Sequence, residues 1–230
     1  MRGYVMNGEI WHGSAVLFDL DGTLVDSMEA IERHTRMWAA RHGLDGDLVL
    51  LESHGRRDSE LIASYVDDAY FDEEMEWLRD ISCRDTKGMR ALPGAVDLIA
   101  DIPPGAWGIV TSGERRVARS RLAAAGIPEP LIMVTAEDVQ NGKPDPEGFL
   151  LGARLLGVAP EQCLAFEDSV AGIQAAESSG MTVLVIASDQ NAMSGKGTVY
   201  EDFTSFALTG SRHRGAPGLT LSQRVGSPSI

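Results

Sequence analysis

The chain has 230 residues, 43% of them hydrophobic and 23% charged, with a formal net charge of −14 at pH 7. That composition belongs to an ordinary globular protein, and the length suits one sizeable domain or a core carrying a modest insertion. Residues 209–230 hold three Arg and no acid, so residues 1–208 carry −17, a surface that disfavours nucleic acid and acidic membranes as partners.

No apolar run approaches the length of a membrane span, and residues 1–13 lack the apolar core of a signal peptide, so a cytoplasmic location without membrane attachment is expected. Cys83 and Cys163 have neither metal-ligand nor CxxC spacing and read as idle thiols in a reducing compartment.

In chain order, residues 1–13 read as an N-terminal extension. Val16-Leu17-Phe18-Asp19-Leu20-Asp21-Gly22-Thr23 then reads as a buried strand over about 15–20 that delivers two acids into a turn. The strand period of two puts Asp19 and Asp21 on one side. Carboxylates facing one space repel each other unless a cation joins them, and hard oxygen ligands favour magnesium. Taken alone, the same residues are more simply a strand closed by an Asp-Gly turn.

From Asp26 the pattern is helical, with Asp26 as cap, Glu29 in capping-box spacing, Ile31, Thr35 and Trp38 on one face, and Gly43 as the stop. A polar stretch at 53–58 reads as a loop, after which Leu61, Ile62, Tyr65 and Val66, then Phe71, Met75, Leu78 and Ile81, return to helical spacing. Residues 28–92 are therefore expected to be an all-helical insertion, closed by Pro93-Gly94. Beyond it, helices over 95–102, 114–125, 146–156 and 170–179 alternate with apolar strands over 107–111, 131–134, 163–166 and 182–186. This alternation predicts an α/β fold, a doubly wound parallel sheet, with a core made of 14–27 and 93–208. Residues 209–230 are rich in Gly, Ser, Pro and Arg without apolar period, and a disordered tail is expected there.

Three further strand ends carry polar groups. Thr111-Ser112-Gly113 offers hydroxyl and backbone N–H groups suited to phosphate oxygens. Lys143, fixed between Gly142 and Pro144, is a point charge for a phosphoryl group. Glu167-Asp168 ends another buried strand, with Asp168 placed to join a metal's carboxylate ligands and Glu167 to orient its waters. Singly, each has a plainer reading, as a helix cap, an exposed turn lysine and acids at a helix N-terminus.

Together, a strand ending in Asp-x-Asp, one in Thr-Ser, a Gly-Lys-Pro loop and one in Glu-Asp resemble the haloacid dehalogenase-like hydrolase superfamily over roughly residues 15–187. The resemblance implies a Rossmann-like core with a small helical cap inserted after the first strand. Within the superfamily the chain looks most like the sugar-phosphate phosphatases grouped with β-phosphoglucomutase and phosphoglycolate phosphatase. It implies Asp19 as nucleophile and Asp21 as general acid and base. Mg2+ would be held by Asp19, Asp168 and the Asp21 carbonyl, and phosphate by Thr111, Ser112 and Lys143. The His54-Gly55-Arg56-Arg57 loop would face the site and contact the substrate beyond its phosphate.

Asp21 argues for a phosphate ester, since the superfamily's C–Cl and C–P cleaving members lack an acid there. The insertion's only Lys, Lys87, is far from where a Schiff-base Lys would be expected. Mutase-like relatives place a Lys where this chain has Glu114, an acid that disfavours a second phosphate and tilts the reading towards hydrolysis, although Arg115 beside it could compensate for its charge. The expected activity is thus magnesium-dependent hydrolysis of a small phosphorylated metabolite, sugar phosphates first. A phosphosugar mutase and a catalytically silent phosphosugar-sensing or scaffold protein remain open, and the sequence does not distinguish monomer from dimer.

Overall fold

The computed structural model describes residues 9–53, 57–187, 198–213 and 216–223. The strands are β1 (Ile10–Gly13), β2 (Ala15–Phe18), β3 (Val25–Asp26), β4 (Arg90–Ala91), β5 (Trp107–Val110), β6 (Ile132–Val134), β7 (Cys163–Glu167), β8 (Thr182–Ile186), β9 (Val199–Tyr200), β10 (Phe206–His213) and β11 (Ala216–Gln223). The α-helices are α1 (Met28–Arg41), α2 (Gly46–Ser53), α3 (Asp58–Ile62), α4 (Asp68–Arg84), α5 (Ala95–Asp101), α6 (Arg115–Ala125), α7 (Glu147–Leu156) and α8 (Val170–Ser178).

The central sheet has six strands in the order β6-β5-β2-β7-β8-β9, and every neighbouring pair is parallel. This is the expected doubly wound α/β core. All four residues of β2 are buried, because the strand has β5 and β7 on its edges and packed side chains on both faces. Val16 and Phe18 enter one cluster with Ile109, Leu164 and Phe166, and Ala15 and Leu17 enter the other with Val110, Phe149 and Ala165. The first cluster is aromatic at its centre, where Phe18 stacks on Phe166 with ring centroids 5.2 Å apart. β2 occupies the point at which chain order reverses, and in open sheets the crevice at such a point is where ligands bind.

Helices α1 to α4 fill the stretch between β3 and β4, which pair antiparallel as a two-stranded neck. They enclose a core of their own, Trp38, Val49, Leu61, Ile62, Met75 and Leu78, separate from the two sheet clusters. Buried Glu74 ties this core together by accepting from Trp38 Nε1 at 3.0 Å and pairing with His42 at 2.8 Å.

Several expectations need correction. The strand predicted over 15–20 is β2 and ends at Phe18, so the period-two argument does not reach Asp21. The chain is still extended in the neck at Asp26, which pairs with Arg90, so Asp26 does not cap α1 and the capping position falls to Ser27. Residues 209–213 and 216–223 lie in strands rather than a disordered tail, and the end of the 1–13 extension joins them, in a three-stranded antiparallel sheet ordered β1-β11-β10. Leu219 and Leu221 alternate with polar residues and reach the aromatic cluster, a period of two too short to stand out among Gly, Ser and Arg. Among the described residues, no helix is long and apolar enough to cross a membrane.

Candidate functional site

The parallel ladder carries β2 to the site: beyond Phe18, the Asp19 N–H still donates to Phe166 O at 2.9 Å. This sets the Asp19 carboxylate beside the end of β7, where Glu167 and Asp168 emerge. One carboxylate oxygen from each of the three acids lies within 4.8 Å of the others. Lys143 reaches into the cluster from the loop before α7. Its Nζ donates to Asp19 Oδ1 at 2.5 Å, to Glu167 Oε1 at 2.6 Å and to Val110 O at 3.1 Å, and lies over the Phe149 ring.

Three acids around one buried ammonium leave the cluster short of positive charge. Burial raises the Asp19 carboxyl well above its ordinary range, against the pull of Lys143 and with the help of Glu167 and Asp168. Asp168 is pushed up to about 7, by burial first and then by Glu167, with Lys143 opposing. Burial alone would lower Lys143, but Asp19 and Glu167 outweigh it and its net shift is upward. Such an all-oxygen donor set, in which burial and mutual repulsion hold acids high, fits a hard divalent cation.

Glycine makes two of these positions possible. At Gly22, with φ +83°, a Cβ would run into the Asp168 carboxylate, and at Gly172 one would overlap the carboxylate of Glu167. Glu167 folds back so that Oε2 accepts the N–H groups of Asp168 and Ser169, both at 2.9 Å. Thr23, fully buried, donates to Asp168 Oδ1 at 3.1 Å.

Asp21 has separate partners. Ser27 Oγ donates to its Oδ1 at 2.6 Å, and Arg121 of α6 pairs with its Oδ2. Thr111, buried, closes the turn after β5 by accepting the Gly113 N–H at 3.0 Å. Thr111, Ser112, Asn141, Gly142, Lys143 and Arg57 line one cleft.

The residues singled out for substrate contact are placed differently from one another. Arg57 donates to Glu60 Oε1 at 3.0 Å and to Gln140 O at 2.9 Å, tying the helical insertion to the lysine loop. Glu114 is engaged by Arg79 of α4. Arg115 turns away to Met133 O at 3.0 Å and Asp138 Oδ2 at 2.5 Å, so it does not offset the charge of Glu114. His54, Gly55 and Arg56 lie outside the described residues. Sequence reasoning missed Thr23, Ser27 and Arg121. The signal for Arg121 was a cation on the apolar stripe of a helix, between the inward positions Val117 and Ala118 and the next, Leu122.

The comparisons agree with this geometry. Hexitol phosphatase A of Escherichia coli (strain K12) is 44% identical over 178 residues, which cover 74% of this chain and 81% of that protein. Validoxylamine A 7'-phosphate phosphatase of Streptomyces hygroscopicus subsp. limoneus is 34% identical over 206 residues, covering 82% of this chain and 93% of that one. Among solved structures, a hydrolase from Pseudomonas syringae superposes with a TM-score of 0.71 at 27% identity, covering 83% of this chain and 94% of its own. The model of the haloacid dehalogenase-like hydrolases matches residues 14–180, a span that takes in β2, β5, the lysine loop and β7 with their polar ends. The chain belongs to the haloacid dehalogenase-like hydrolase family.

Proposed function

We propose that this hydrolase is a magnesium-dependent phosphatase for a small sugar or sugar-alcohol phosphate, working through an aspartyl-phosphate on Asp19. It is a phosphoric monoester hydrolase, and the likeness to a hexitol phosphatase puts sugar-alcohol phosphates first among the substrates to test. The observation that carries the reading is the division of labour after β2. Asp19 lies in a carboxylate cluster against Lys143, while Asp21 is held apart by Ser27 and Arg121.

In the first half-reaction Asp19 bonds to phosphorus as the bond to the leaving oxygen breaks, and Asp21 gives that oxygen a proton. In the second, Asp21 takes a proton from the water that opens the aspartyl-phosphate, returning Asp19 as a carboxylate and releasing inorganic phosphate. Lys143, Thr111 and the Ser112 N–H bind the non-bridging oxygens. When bound by Asp19, Asp168 and the Asp21 carbonyl, magnesium supplies further positive charge to the phosphoryl group. Helices α1 to α4 act as the cap that receives the alcohol part of the substrate, with Arg57 at the edge of the cleft.

The test is a phosphate-release screen over phosphorylated metabolites with magnesium present. Release is expected from at least one sugar or sugar-alcohol phosphate, and both Asp19→Asn and EDTA are expected to abolish it. Turnover that survives both changes would sink the mechanism, and isomer formation without phosphate release would make the protein a mutase.

A further inference from the structure

Arg121 is a buried cation that the four strand-end motifs do not account for. It lies on the inward face of α6 and is 6% exposed. Its Nη1 donates to Asp21 Oδ2, while its Nε is buried and has no hydrogen-bond partner among the described residues. A Cβ on Gly113 would sit 3.7 Å from Nη1, so the guanidinium lies against the turn that carries Thr111 and Ser112. Burying an arginine for stability alone is poor economy, since desolvation offsets most of what an ion pair gains.

What the arginine does to Asp21 is specific. Asp21 lies beyond Asp19 and Leu20, past the end of β2 at Phe18, and apart from an isolated bridge to Val25 no sheet ladder holds it. Its carboxylate is instead gripped at both oxygens, Oδ1 by the Ser27 hydroxyl and Oδ2 by Arg121. A carboxylate that receives donors on both oxygens is arranged as an acceptor, the form that takes a proton from water. The proton-donating form carries a hydrogen on one oxygen, which adds a proton to a group that already receives two donors.

We propose that Arg121 is a positioning residue for Asp21 in the second half-reaction, holding the carboxylate as the base that activates water against the aspartyl-phosphate. The proposal rests on the phosphatase reading above. The same helix is tied to the insertion one residue earlier, where Ser120 Oγ donates to Cys83 O at the end of α4 at 2.9 Å. Arg116 pairs with Glu76 and Asp80 of α4 at 2.9 and 2.8 Å. The orientation of Asp21 is thereby coupled to the seating of the insertion on the core.

p-Nitrophenyl phosphate separates the half-reactions, because its phenolate leaves without a proton. Its kcat/KM reports formation of the aspartyl-phosphate, and its kcat then reports hydrolysis of that intermediate. In Arg121→Met, kcat is expected to fall about 100-fold, at the lower end of what general base catalysis supplies, while kcat/KM changes less than about threefold. Stopped flow should show a burst of nitrophenol, and acid-quenched protein should carry the phosphate by intact mass. Arg121→Lys keeps the buried charge and is expected to recover part of the loss. If the Met variant does not fold, the same split is read on Lys.

Equal losses in kcat and kcat/KM without a burst, while Asp21→Asn does show one, would overturn the role of Arg121 alone. No burst from Asp21→Asn, or no wild-type hydrolysis of any monoester, would overturn the phosphatase reading beneath it.

Discussion

At the scale of single residues, Glu167 organises the cluster. It has no exposed surface, and its two oxygens are taken up by Lys143 on one side and by Asp168 and Ser169 on the other. That fold-back leaves no room for a side chain at position 172. Gly172→Ala therefore has to push Glu167 off Lys143 or shift α8, an overpacking cost of about 1–3 kcal/mol. It should appear as a lower urea midpoint together with slower phosphate release, and an unchanged midpoint with unchanged turnover would mean that the turn relaxes freely. Asp19, Lys143, Glu167 and Asp168 were legible in the sequence, because each stands where a buried strand or a proline-fixed loop must end and local rules apply. Thr23 and Ser27 sit in the same stretch but gave no such signal, since a hydroxyl's partner is set by the fold.

At the scale of elements, the helical insertion is held by ion pairs as well as by its small core. Arg33 of α1 donates to Asp85, just beyond α4, at 2.7 Å. Its hydrogen bond is the leading reason that Asp85 is held down to about 2. A carboxyl that is lower in the folded state contributes stability above its ordinary value of 3.8, and that contribution is lost as pH falls towards about 2. Arg33→Ala should therefore move the acid transition of the insertion to higher pH, followed through the fluorescence of Trp38 and Trp77. An unmoved transition would mean that the pair adds nothing to folding. The presence of helices over 28–92 followed from spacing, but their seating on the core did not. Arg79 with Glu114, and Arg57 with the Gln140 carbonyl, join residues distant in sequence.

At the scale of the whole molecule, both ends of the chain build the small antiparallel sheet. β1 comes from the start and β11 from near the end, and Phe206, Leu219 and Leu221 enter the cluster that contains Phe18 and Phe166. Ending the chain after Leu208 removes two leucines buried in that cluster, each worth about 1.5–3 kcal/mol, and exposes Trp11 beside them. The shortened protein should melt well below the full chain in calorimetry, whereas loss of a disordered tail would leave the midpoint where it was. By itself the sequence determined the parallel α/β core, the helical insertion and the acids and lysine at the strand ends. These depend on periodicity, turn chemistry and charge within a few residues. Only the tertiary structure decided that Arg121 meets Asp21, that Glu114 is committed to Arg79 and that the C-terminal strands join β1. Each of those contacts links segments separated by 35 residues or more, where pairing is chosen by packing and no local pattern records it.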